Sequence, residues 1–278
     1  MVSIGRGAKL GTAVTVLLSA ACSADGGSSV EPLTPARLAA VPADEYAFPA
    51  EWAGDHTFRW SAPDAIDLMS PEATVVRALA ESKRLSLAVG DRLAYPGYSA
   101  AVSDVVELHV PDGGAYPVGA REGTWTYRWR GTFLARILRI DPDAQGFTAA
   151  YCVDFGNVAE SDNGGRTYHW RSVGEGGKLD HGWVTWLRVT SNSDTTRVAD
   201  SIGLDGGQTS RVPRFDPFHG WSVAEAWGPS PRRASDAATV DGCAQWTRSN
   251  PHEASSASDA AVTLAEPQDP YPGWPATG

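Results

Sequence analysis

Residues 124–156 constrain this chain more than any other stretch: the run Thr124–Ile140, then Asp141–Gly146, then Phe147–Gly156. Successive strand residues face opposite sides of a sheet, so a strand buried on one face shows a period of two. Trp125, Tyr127, Trp129, Phe133, Ala135 and Ile137 fall on one face, and Thr126, Arg128, Arg130, Thr132 and Arg136 on the other. Phe147, Ala149, Tyr151, Val153 and Phe155 repeat the scheme after the turn. The pattern predicts two long antiparallel strands joined by a short turn, with Gly131 marking a bulge or bend. A one-residue slip would turn one aromatic face to water, so paired residue numbers must have an even sum. Arg139 opposite Phe147 meets that condition. It sets Asp154 across from Thr132 and diagonal to Arg130, which predicts a cross-strand ion pair on the polar face.

Upstream, Ser70-Pro71-Glu72 reads as a helix start, with Ser as N-cap and Pro at the first helical position. Val75, Val76, Leu79, Ala80 and Leu87 follow at helical spacing and Gly90 supplies a stop, predicting a helix over 71–89. Residues 99–108 read as a second helix or, through their last residues, as a strand. Downstream, strands are predicted over 166–171, 183–190 and 220–227, and a further short element over 240–247. Ser191–Phe218 reads as a surface excursion. Helices followed by long antiparallel strands predict an α+β domain, one or two N-terminal helices lying on one face of a curved sheet. The aromatic face is the one expected to meet the helices, because buried unpaired guanidinium groups on the arginine face would cost several kcal/mol each.

The amino terminus carries Arg6 and Lys9 and then an uncharged, mostly apolar run, Leu10–Ala21, that ends at Cys22. That run is shorter than the roughly 20 residues a membrane-spanning helix needs and suits a signal peptide. Leu18-Ser19-Ala20-Ala21-Cys22 resembles the bacterial lipobox, with Ser19 where the motif usually has Leu or Val. The resemblance implies diacylation of Cys22 and a lipid anchor outside the cytoplasm; plain secretion is the alternative. The predicted division is 1–22 signal and lipidation site, 23–45 flexible tether rich in Gly, Ser and Pro, 46–248 one folded domain, and 249–278 disordered tail. A net charge of −10 gives no means of neutralising phosphates, which argues against a nucleic-acid partner. The eleven tryptophans suffice for a real core.

The residues that bear chemistry do not converge on a catalytic motif. With Cys22 lipidated, Cys152 and Cys243 remain, and outside the cytoplasm a pair of cysteines favours a disulfide over a thiol nucleophile. Asp141–Gly146 resembles the opening of a calcium loop, but its fifth position is Gln145 and its twelfth Cys152, and its composition is that of a turn. His169 and the Asp180-His181 pair form an acid–base set only if the fold brings them together. No metal-ligand spacing, nucleophile elbow or phosphate loop occurs, and no cofactor is expected. Trp125, Tyr127, Trp129, Tyr151, Trp183 and Trp221 are candidates to line a ligand pocket, and core packing is the alternative.

The helix order, the segment ending in Tyr151-Cys152-Val153-Asp154 and the later Gly220–Val223 strand resemble nuclear-transport-factor-2-like cone domains, a family that includes ketosteroid isomerases. Residues 70–98 also look like a stretch found in actinobacterial exported proteins. The resemblance implies a cone-like domain and leaves three functions open. The first is a non-catalytic envelope lipoprotein that binds an apolar ligand or an envelope protein. The others are a small acid–base enzyme acting on an apolar substrate and a cell-wall glycan-binding module.

Overall fold

In the computed structural model, the described residues are 42–102, 127–170, 182–192, 210–228, 237–252 and 266–275, with the backbone alone at 108–109, 115–116 and 209. All of them belong to one unit, Leu33–Gly278. Cys22, Trp125 and the Asp180-His181 pair lie outside the described residues.

The long hairpin is the centre of the sheet, as β4 (Arg128–Asp143) and β5 (Gly146–Asp154). Its register differs from the predicted one by two residues up to Ile137 and by three beyond it, where Arg139 faces Ala150 rather than Phe147. Leu134 faces Asp154 and Ile137 faces Tyr151, the ladder shifts between Ile137 and Arg139, and Asp143 then faces Gly146. The even sum holds for the inner half, so the aromatic faces do coincide. The irregularity sits at Leu138, where no glycine announces it. Gly131 has its own role. Its φ is +114°, and a Cβ there would stand 2.2 Å from the Asn157 carbonyl oxygen. Only glycine allows β6 (Val158–Ser161) to approach β4 at that point.

β8 (Gly182–Ser191) pairs with β5, and β10 (Trp221–Trp227) with β8. β2 (Leu108–His109) and β3 (Ala115–Tyr116) extend the sheet beyond β10, and β7 (His169–Trp170) lies beside β6. β1 (His56–Ser61) runs parallel to β4, on the side opposite β5. The fold is therefore α+β with a mostly antiparallel sheet. Of the four helices among the described residues, α1 (Ala50–Ala53) and α3 (Tyr98–Ala101) are single turns. Within the 99–108 stretch, the described residues are the end of α3, Val102 and the first residue of β2.

α2 spans Pro71–Val89, with the Ser70 side chain accepting from the Ala73 N–H and Gly90 at the C-cap. Fifteen of its residues are buried, far more than its apolar stripe. Its partner surface is the predicted aromatic face: Trp129, Phe133, Ile137, Phe147, Tyr151 and Leu187 share its core. The other sheet face is not left to solvent. α4 (Ala237–Ser249) covers it, packing Val240, Cys243 and Trp246 against Cys152, Val184 and Trp186. Helices therefore lie on both faces, which corrects the one-sided expectation. Cys152 and Cys243 are bonded, with Cα atoms 5.7 Å apart, and tie α4 to β5.

The tail is the larger correction. Residues 266–275 are held against the body, and Trp274 is 2% exposed. β11 (Trp274–Pro275) pairs with β9 (Thr209–Ser210). Val212 and Phe218, in the supposed surface excursion, are also buried. Composition suggested disorder, but these segments carry apolar side chains and find backbone partners, which repays the entropy of ordering them.

Candidate binding site beneath the carboxy-terminal strap

Arg77 and Glu81 lie one turn apart on α2, 0% and 4% exposed. A pair at this spacing on a helix ordinarily faces water. Here Glu81 accepts from three side chains: Trp60 Nε1 at 2.7 Å, the Tyr95 hydroxyl at 2.5 Å and Trp274 Nε1 at 3.1 Å. Arg77 donates to the carbonyls of Leu68 at 3.1 Å, Pro272 at 2.8 Å and Gly273 at 3.3 Å. Its guanidinium stacks 4.4 Å above the Trp274 ring. Burial raises the Glu81 carboxyl above its usual range, against the pull of Arg77 and of the three donors. Burial lowers Arg77, and Glu81 and Tyr95 oppose the change. Burying charge is costly unless it is compensated; hydrogen bonds supply that compensation for the Glu81 oxygens and the terminal Arg77 nitrogens, while Arg77 Nε has no partner among the described residues.

The strap approaches along β1, whose inner edge is taken by β4. On the outer edge, the Trp60 N–H donates to the Tyr271 carbonyl and the Tyr271 N–H to the Phe58 carbonyl, at 2.5 and 3.2 Å. Thr57 Oγ1 donates to the Gln268 carbonyl at 2.7 Å, and the Gln268 N–H donates to Thr132 Oγ1 at 2.8 Å. Arg59 donates to the Asp269 carbonyl at 2.7 Å. Together these residues form a groove that holds an extended chain by its backbone and a tryptophan by its indole.

A second buried group lies nearby in the core. His56 is 1% exposed, edge-on to Phe48, Phe58, Trp129 and Phe133 at 5.1–6.2 Å. Its Nδ1 has no hydrogen-bond partner among the described residues. Burial, reinforced by Arg211 and Arg84, lowers its pKa to about 3. The unfolded chain binds a proton near pH 6.5 that the folded imidazole refuses, so stability falls as pH drops from 6.5 toward 3. The slope from this group approaches about 1.4 kcal/mol per pH unit. Urea unfolding of His56→Phe between pH 7 and 4 is expected to show a shallower loss of stability than wild type. Parallel pH profiles for the two proteins would refute it.

The sequence-predicted candidates are spread along the core. Tyr127 stacks on Trp129, with centroids 6.1 Å apart. Tyr151 meets Trp60 at 6.1 Å and Trp221 meets Phe147 at 5.3 Å, while Trp183 packs partly buried against the same core. Asp154 does not meet Arg130. It is 1% exposed and accepts from the Gly156 N–H at 2.8 Å and from Asn250 Nδ2 at 2.7 Å; His252 Nε2 lies at 2.9 Å. It thereby fastens the end of α4 to the sheet, whereas Arg130 pairs with Glu266 of the strap. His169 is exposed. Asp143 caps a turn by accepting from the Gln145 N–H and pairs with Arg188. Among the described residues, no group of three or more His, Cys, Asp or Glu side chains is placed to hold a metal ion.

Sequence reasoning missed Arg77, Glu81, Tyr95 and Trp274. The one available signal was the tryptophan in Tyr271–Trp274, a costly residue for a segment with no structural task. Comparison with known proteins found no match to a family model, to a curated protein or to a solved structure.

Proposed function

We propose that the protein is an exported lipoprotein, anchored through Cys22 outside the cytoplasm, whose folded unit is a non-catalytic binding domain. The observation that supports binding is the outer edge of β1, where donors and acceptors are directed at the backbone of an extended chain. A proton-transfer site needs an acid or base within reach of its substrate. Glu81 instead has both oxygens engaged by its own neighbours, and Asp154 anchors α4. The support for export is the basic and apolar run ending at Cys22.

The cone-type enzyme is the second reading. In its favour, two ionisable side chains, Glu81 and His56, do lie on the side of the sheet covered by α2. Against it, β1 is parallel to β4 and α4 occupies the opposite face, both departures from a minimal cone.

Cys22→Ala is expected to abolish association with the membrane fraction, or to leave the precursor unprocessed. Unchanged fractionation and unchanged mass would overturn the anchor. Mass spectrometry of material co-purified with the exported protein tests binding directly; a domain that carries nothing but releases a converted small molecule would favour the enzyme.

A further inference from the structure

We propose that the groove between β1 and α2 is a peptide-binding site, filled in this chain by its own residues 268–275, and that its external ligand is an extended segment of a partner protein carrying a tryptophan at the place of Trp274. The inference rests on the binding-domain reading and assigns the ligand class of that domain.

The contacts divide by what they recognise. Those from Thr57, Phe58, Trp60, Arg59 and Thr132 all reach backbone atoms of Gln268, Asp269 and Tyr271. The Tyr271 side chain is 57% exposed, with the Arg59 guanidinium 5.6 Å from its ring centroid. These positions therefore accept an extended chain of varied sequence, as in recognition by strand addition to a sheet edge. Arg77 reads the two successive carbonyls of Pro272 and Gly273. Selection comes from Trp274. Its indole N–H meets Glu81, its ring lies beneath Arg77, and Tyr95 and Phe215 stand edge-on at 5.7 and 6.2 Å. A single aromatic anchor in a closed pocket, flanked by backbone hydrogen bonds, is the arrangement expected of a peptide ligand. Without an occupant, Glu81 would lose one donor, Arg77 two acceptors, and the outer edge of β1 would be bare. Such an edge invites non-specific pairing, and a strap held in cis protects it until a competitor arrives.

The test uses the complete chain with a protease site inserted within residues 253–265, upstream of the strap. After cleavage, a fluorescent peptide of residues 266–278 is expected to exchange into the groove and be displaced by its unlabelled copy. The same peptide with Trp274→Ala should bind roughly 30-fold more weakly, the loss of one aromatic hot spot. Peptides with Gln268→Ala or Asp269→Ala should bind within about threefold of the parent, since only their backbone is read. The uncleaved chain should bind the labelled peptide at least about tenfold more weakly, because the tethered strap competes at high effective concentration. Equal affinity for cleaved and uncleaved chains would place the peptide elsewhere and overturn the proposal. So would a cleaved protein that unfolds or retains its strap without exchange, since the strap would then be core. If co-purification identifies another ligand while the peptide fails, the groove assignment falls and the binding-domain reading stands.

Discussion

Arg77→Ala is expected to destabilise the protein by about 3–5 kcal/mol, because the Pro272 and Gly273 carbonyls lose their donor and the space against the Trp274 ring is emptied. For a domain of this size that corresponds to a fall of roughly 10 °C in the thermal midpoint. The cause is specific. Removal leaves the Glu81 carboxylate without its cation and the Pro272 and Gly273 carbonyls without their donor. Combining Arg77→Met with Glu81→Gln should recover only part of the loss, because the single amide oxygen accepts either from Trp60 or from Tyr95 and Trp274, not from all three. A double-mutant cycle by urea unfolding reads the coupling. Additive losses would mean that the two side chains act independently and that the pair is incidental.

Trp129→Ala is expected to cost about as much, roughly 3–5 kcal/mol, through the cavity it opens. The ring is 2% exposed, stacked on Tyr127 and edge-on to His56 and Phe133, while its indole N–H donates to Glu160 at 3.3 Å. Arg128→Ala, one residue earlier on the opposite face and half-buried, should cost well under half as much. Thermal melts of the two variants side by side make the comparison. Equal losses would show that the faces of β4 are not divided as core and periphery.

α2 was legible because its boundaries are written in local chemistry: Ser70, Pro71 and Gly90 act on their own neighbours. The strands at 182–191 and 221–227 were legible through alternation, and the Cys152–Cys243 bond through the number of cysteines and the compartment expected from the amino terminus. The hairpin register was not. Alternation fixes parity alone, and any even slip preserves it, so the irregularity at Leu138 and the tighter turn went unseen. The binding site was hidden for a different reason. Arg77 and Glu81 stand at the spacing usual for a solvated helix pair and drew no prediction, and Pro272–Trp274 fell within the predicted disordered tail. Each judgement is sound for its own segment, and each fails because the other segment exists. A polar pair separated from its partner by almost the whole folded unit leaves no periodicity to detect. The element at 240–247 was likewise located without its type, because Gly242 and the β-branched Val240 and Thr247 obscure a helix that sheet packing sustains.

The spacing between Glu81 and Trp274, 193 residues, also orders events in time. A polypeptide made from its amino end presents α2 long before the residues that finish its surroundings have been synthesised. Until Pro272–Trp274 arrive, Arg77 lacks two of its acceptors and Glu81 one of its donors. Burial of the two side chains therefore waits on residues 272–274, which lie far downstream in the sequence. A chain cut short before residue 271 leaves the outer edge of β1 open to pairing with other chains.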